Sequence, residues 1–129
     1  MLTAEKIKQA ALDAGADACG IGPMSRFDGA PDEMNPQFLY PEAKSIIGLV
    51  FRIPRGVQRG IEEGTQFYQY PSLAYGGLNE IFGPAVLYQV GKMIEDEGYG
   101  VCIPQYRSAW RCFRYGRFSR KHAVSGGAN

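Results

Sequence analysis

Hydrophobic and polar positions alternate in blocks along this chain, and the clearest block lies between Pro41 and Pro54. The run Ile46 to Phe51 is almost entirely aliphatic or β-branched, too short for a full helix and too continuous for a one-sided strand. It predicts a central, buried strand. Pro41 and Pro54 bound it because proline cannot donate to a ladder and pushes the preceding residue toward extended geometry. A strand of that kind needs cover on both faces, so helices are expected to pack on it in an α/β layer.

Upstream, Ile7, Ala10, Ala11 and Ala14 recur at helical spacing behind Thr3, a suitable N-cap, with Glu5 in the first turn and Gly15 as the terminating residue. Ala16 to Gly22 reads as a short strand, weakened by its glycines. Ser25 to Tyr40 is rich in Pro, Gly, Asp and Asn and predicts a loop, with a turn at Asp28-Gly29-Ala30-Pro31. Arg55 to Gln69 shows no sustained period and reads as a long surface connection.

Downstream, Leu78, Ile81, Phe82, Ala85, Val86, Val90, Met93 and Ile94 define one apolar stripe over Ser72 to Glu97, with Ser72 able to cap the helix. Gly83-Pro84 interrupts it, predicting a kink or two abutting helices. Glu95-Asp96-Glu97 places negative charge at the unfavourable end of the helix dipole, so packing must outweigh it, and Gly98 stops the helix. Tyr99 to Ile103 then reads as a third strand, closed by Pro104. The expected fold class is α/β: a small sheet of about three strands with helices packed on it over residues 1–104, followed by a basic aromatic tail over 105–129, which reads as a solvated, disordered tail in preference to a nucleic-acid surface.

A chain of 129 residues is long enough to bury roughly two thirds of its unfolded surface as one domain. Its formal charge of +1 conceals an asymmetry. Six of fourteen basic residues (Arg107, Arg111, Arg114, Arg117, Arg120, Lys121) follow Glu97, leaving eight against thirteen acidic ones, or about −5, in the preceding body. Interleaved with Trp110, Phe113, Tyr115 and Phe118, these arginines suit phosphate contact and base stacking on RNA, tRNA included.

Cys19, Cys102 and Cys112 are odd in number and dispersed, which argues against a disulfide framework or a self-contained zinc or iron–sulfur site and points to thiols in a reducing cytoplasm. The start of the chain lacks the basic and apolar blocks of a signal peptide, and no apolar run approaches the ~20 residues of a membrane span. Gly20-Ile21-Gly22-Pro23 fails the G-x-G-x-x-G pattern, lacking the third glycine. His122 has no nucleophile or carboxylate at a diagnostic spacing and reads as structural.

The order of these segments resembles a known family. Gly15-Ala16-Asp17-Ala18-Cys19-Gly20-Ile21-Gly22, Arg26-Phe27 with Gly29-Ala30-Pro31, Tyr40-Pro41-Glu42-Ala43-Lys44-Ser45-Ile46-Ile47 with Ile53-Pro54, and Tyr70 and Tyr75 leading to Ile94-Glu95-Asp96-Glu97-Gly98-Tyr99 are together similar to the N-terminal region of epoxyqueuosine reductase-like iron–sulfur proteins. These are relatives of the corrinoid-dependent reductive dehalogenases. The resemblance covers roughly Met1 to Pro104 and implies a nitroreductase-like α/β core that binds cobalamin and receives electrons from two [4Fe–4S] clusters.

Such clusters require cysteine runs of the C-x2-C-x2-C-x3-C-P type, which this chain lacks, and the family's proton-donating acid would lie beyond the matching region. The clusters are therefore expected only in a longer form. The chain reads either as an N-terminal portion of such an oxidoreductase, inactive alone, or as a standalone domain. Arg52, Tyr68, Tyr70 and Tyr75 are the candidate cofactor-binding residues, because they lie at the end of the central strand and the entrance of the following helix, where open α/β sheets bind ligands. Aromatic packing of the helix end is the competing role for the tyrosines. With few strands and an unpaired edge, self-association or pairing with another chain is also expected.

The alternative function is a non-enzymatic α/β module whose Arg-rich tail contacts RNA. On that alternative, RNA affinity falls steeply with added salt and is lost when the chain ends at Pro104, as measured by a salt series of binding isotherms; affinity unchanged by the truncation contradicts it.

Overall fold

A computed structural model describes residues 1–103. The chain runs α1 (Ala4–Ala14), β1 (Ala18–Pro23), three short 3-10 turns (Met24–Phe27, Asp32–Met34, Pro36–Phe38), β2 (Ser45–Val50), α2 (Arg55–Glu62), a π-helix (Tyr70–Phe82) and α3 (Gly83–Asp96). It is a mixed α/β arrangement built on a two-stranded antiparallel sheet.

Local chemistry accounts for the helix ends. The Thr3 hydroxyl accepts from the Lys6 amide at 3.2 Å, satisfying one of the orphan donors of α1. At the other end Gly15 takes the left-handed conformation (φ 117°), and the Ala16 amide donates to the Ala11 carbonyl at 2.9 Å. This six-to-one bond is a Schellman closure. The same pattern ends α3, where Gly98 has φ 89° and the Tyr99 amide donates to Ile94, and α2, where Thr65 donates to Gly60 beyond Gly64. The acidic end of α3 is offset by a cation from α1: Lys6 Nζ lies 3.7 Å from Glu97, an exposed pair contributing at most about 1 kcal/mol.

In the sheet, Cys19 faces Leu49 and Ile21 faces Ile47, and these four side chains pack toward the helices. The core they cover consists of Ile7 and Ala11 from α1, Ala16, and Val86, Val90 and Ile94 from α3. Burying Val86 and Ile94, each 1% exposed, stabilises the fold by about 1.5–3 kcal/mol per side chain. Met24, Leu39 and Ala43 form buried points under the connection between the strands, where the Met24 amide donates to the Lys44 carbonyl.

Several expectations are corrected. β2 is not buried on both faces: the opposite face carries Gly48 and a Val50 that is 57% exposed, because no described element covers it. The predicted third strand at Tyr99 to Ile103 is irregular. Its side chains pack on the helices, Ile103 lying against the Cα of Gly91, and it joins no described ladder. Thus two strands, not about three, form the described sheet. Arg55 to Gln69 contains the helix α2, whose two glycines and short apolar pair, Val57 and Ile61, hid its period. Ser72 is not a cap, since helical geometry begins at Tyr70.

Gly83-Pro84 does mark abutting helices, but the first is a π-helix, in which the Gly83 amide donates to the Leu78 carbonyl five residues back. Its wider turn rotates the apolar stripe out of register, and Ile81, expected inside, is 72% exposed. Among the described residues no helix is long and apolar enough to cross a membrane.

Glycine placement yields a test. A Cβ on Gly15 would stand 2.7 Å from the Phe82 ring and one on Gly83 2.7 Å from the Leu78 carbonyl oxygen, whereas one on Gly20 would meet nothing within 4 Å. Gly15→Ala and Gly83→Ala are expected to lower stability by about 1–3 kcal/mol in denaturant unfolding, through positive-φ strain in the first and overpacking in both. Gly20→Ala is expected to be neutral or stabilising by up to about 1 kcal/mol.

Candidate functional site

β2 ends at Val50, and the chain continues extended through Phe51 and Ile53 before Pro54 opens α2. The π-helix returns across this end of the strand. Between them lies an open cavity of about 360 Å³, lined by Leu49, Val50, Phe51, Ile53, Tyr70, Ala74, Tyr75, Leu78 and Asn79. Its volume sits at the lower end of the roughly 300–1,000 Å³ range of small-molecule sites.

The lining follows from the backbone. In a helix with hydrogen bonds five residues back, positions four and five apart share a face. Tyr70, Ala74, Tyr75, Leu78 and Asn79 are so spaced and together form one wall. Leu49 to Ile53 form the other. Phe51 is anchored edge-to-face against Phe82, with ring centroids 5.7 Å apart and planes at 77°. Phe82 in turn seats its ring over Gly15 at the end of α1. The cavity wall meets the core directly through Leu49 and Phe51, and Phe82 braces Phe51 from the end of the π-helix.

Of the four residues singled out by sequence, the structure brings Tyr70 and Tyr75 together in this wall. Arg52 and Tyr68 are not among the lining residues. The Arg52 amide donates to Asp17 Oδ2 at 2.7 Å, tying the strand end to the start of β1, and its side chain is exposed. Tyr68 is 79% exposed, its ring edge-on to Phe67. Leu49, Val50, Phe51, Ile53, Ala74, Leu78 and Asn79 were not singled out by sequence as lining residues. The spacing of Tyr70, Ala74 and Leu78 was the available signal, obscured by starting the helix at Ser72.

None of the nine lining side chains is charged. The described wall therefore presents apolar and aromatic surface, two tyrosines and one carboxamide. It contains no carboxyl or imidazole for proton transfer. Among the described residues, no three His, Cys, Asp or Glu side chains gather as a metal-ion site. His122 and the Arg-rich stretch from Arg107, with its RNA assignment, lie outside the described residues. In comparisons with protein-family models, curated proteins and solved structures, nothing matches this chain.

Cys19 sits on the covered face of the sheet, and burial pushes its thiol above the ordinary value of 9.0, with Lys8 pulling the other way. A raised thiol pKa means that the unfolded chain ionises first, so this group's contribution to stability is intact below pH 9.0 and is lost as pH rises beyond it. Cys19 is accordingly expected to react with iodoacetamide at pH 7.5 more slowly than a free cysteine peptide, with the rate climbing into alkaline pH; peptide mass mapping of the labelled site measures it.

Proposed function

We propose that this chain is an N-terminal portion of an epoxyqueuosine reductase-like iron–sulfur and corrinoid oxidoreductase, and that it forms one wall of the cofactor site without carrying the reductive machinery. The observation that supports the reading is the cavity at the C-terminal end of β2, with Tyr70 and Tyr75 in its wall. It lies beyond the carboxyl end of β2, beside the start of the antiparallel β1.

The fit to a corrinoid is that of a partial surface. An open cavity of about 360 Å³ with apolar and ring-bearing walls suits one edge of a large macrocycle, leaving the remainder to be covered by other protein. Phe51, Tyr70, Tyr75 and Leu78 would lie along the ring system, and the Asn79 carboxamide would meet its polar periphery. When bound, the corrinoid would supply the electron-transfer chemistry. This chain's residues exclude water from one side and fix orientation. The reading assigns the clusters and the proton-donating acid to a longer form of the protein.

Titration of cobalamin with the purified chain, followed by visible absorption, tests the proposal. A saturable change in the corrinoid spectrum, lost in Asn79→Trp, which adds a bulky ring to the cavity lining, is the expected result. An unchanged spectrum with this chain, alongside a changed one with a version extended through a cluster-bearing segment, contradicts a binding wall here.

A further inference from the structure

We infer that the cavity between β2 and the π-helix is a site for a small, uncharged, planar aromatic ligand or ligand moiety. This rests on the proposed function only in taking the same cavity as the binding place, and it holds for a free small molecule as well as for part of a larger cofactor.

Three observations carry it. The first is electrostatic: among the described residues no charged side chain lines the cavity, so the described wall offers a charged ligand no counter-charge for the hydration it gives up there. The second is the wall composition. Phe51, Tyr70 and Tyr75 present three rings within a set otherwise made of Leu49, Val50, Ile53, Ala74 and Leu78, and aromatic rings favour other rings at stacked or edge-on geometry beyond simple area burial. Asn79, exposed at the cavity, adds a carboxamide with both donor and acceptor capacity, suited to a heteroatom on a ring edge.

The third is independent of composition. One wall is a π-helix from Tyr70 to Phe82, a rare geometry found preferentially at functional sites because it brings side chains onto one face that an α-helix would separate. Here it brings Tyr70, Ala74, Tyr75, Leu78 and Asn79 to the cavity at once. On the same helix Ile81 stands 72% exposed.

The test uses the full chain and the uncharged naphthalene fluorophore Prodan, with the anionic anilinonaphthalene sulfonate as the charged comparison. Prodan is expected to bind saturably near one equivalent with blue-shifted emission, and the sulfonate at least about tenfold more weakly. Tyr75→Ala and Asn79→Trp should each weaken Prodan about tenfold, Tyr75→Phe should retain it within about twofold because the ring is kept, and Lys92→Ala on the outer side of α3 should leave it unchanged. Thermal unfolding of each variant identifies loss of fold, and the Phe variant preserves the test if the Ala variant unfolds. Non-saturable emission, equal binding of the sulfonate, or Prodan binding indifferent to Asn79→Trp overturns the inference. Prodan binding without any cobalamin effect removes the corrinoid reading and leaves this one standing; a cobalamin effect without Prodan binding does the reverse.

Discussion

The fold depends on an antiparallel contact between α1 and α3 whose contact residues recur every four positions. On the α1 side the series is Ile7, Ala11 and the terminating Gly15, and along α3 it is Val86, Val90 and Ile94, preceded by Phe82 at the end of the π-helix, itself 43% exposed. Lys6 and Glu97 meet at one end of the pair, and Gly15 and Phe82 at the other. Small residues on α1 let the larger ones on α3 approach, which is why Ala11 is fully buried and why Gly15 must lack a side chain. The sheet lays Cys19, Ile21, Ile47 and Leu49 over this seam and closes the core on a third side.

The same contact places the candidate site. Phe82 is the last residue of the π-helix, and its ring touches both Gly15 and Phe51. The end of α1, the end of β2 and the junction between two helices are thereby fixed around one side chain, and the cavity opens on its other side. A ligand in the cavity would touch Phe51 and Leu78, one residue or one hydrogen bond removed from the Gly83 amide that begins α3.

Much of this arrangement is legible in the sequence, for identifiable reasons. α1 is announced by Thr3, by the Ile7 to Ala14 spacing and by Gly15, all local signals that the structure uses as read. β1 and β2 lie within a residue or two of their expected bounds, and the turn at Gly29 forms, with φ 81°. The failures share a cause, since tertiary context outweighed local pattern. The aliphatic run of β2 predicted two covered faces, but its pairing is antiparallel and Val50 lies open. Tyr99 to Ile103 looks like a strand by composition, yet its side chains are taken up by α3 at Gly91. The π-helix has no sequence signature in an α-helical template, so the stripe through Ile81 was misassigned and half the cavity wall was missed. Tyr70 and Tyr75 were singled out by their place after the strand end rather than by periodicity, and the structure sets both in the cavity wall.

The contact between Gly15 and Phe82 joins the end of α1 to the helix junction that borders the cavity. A double-mutant cycle with Gly15→Ala and Phe82→Ala, read by denaturant unfolding, measures it most directly. The predicted result is a coupling of at least about 1 kcal/mol, with the Phe82 truncation relieving the part of the Gly15→Ala penalty that comes from the ring; additivity within about 0.3–0.5 kcal/mol would contradict the account.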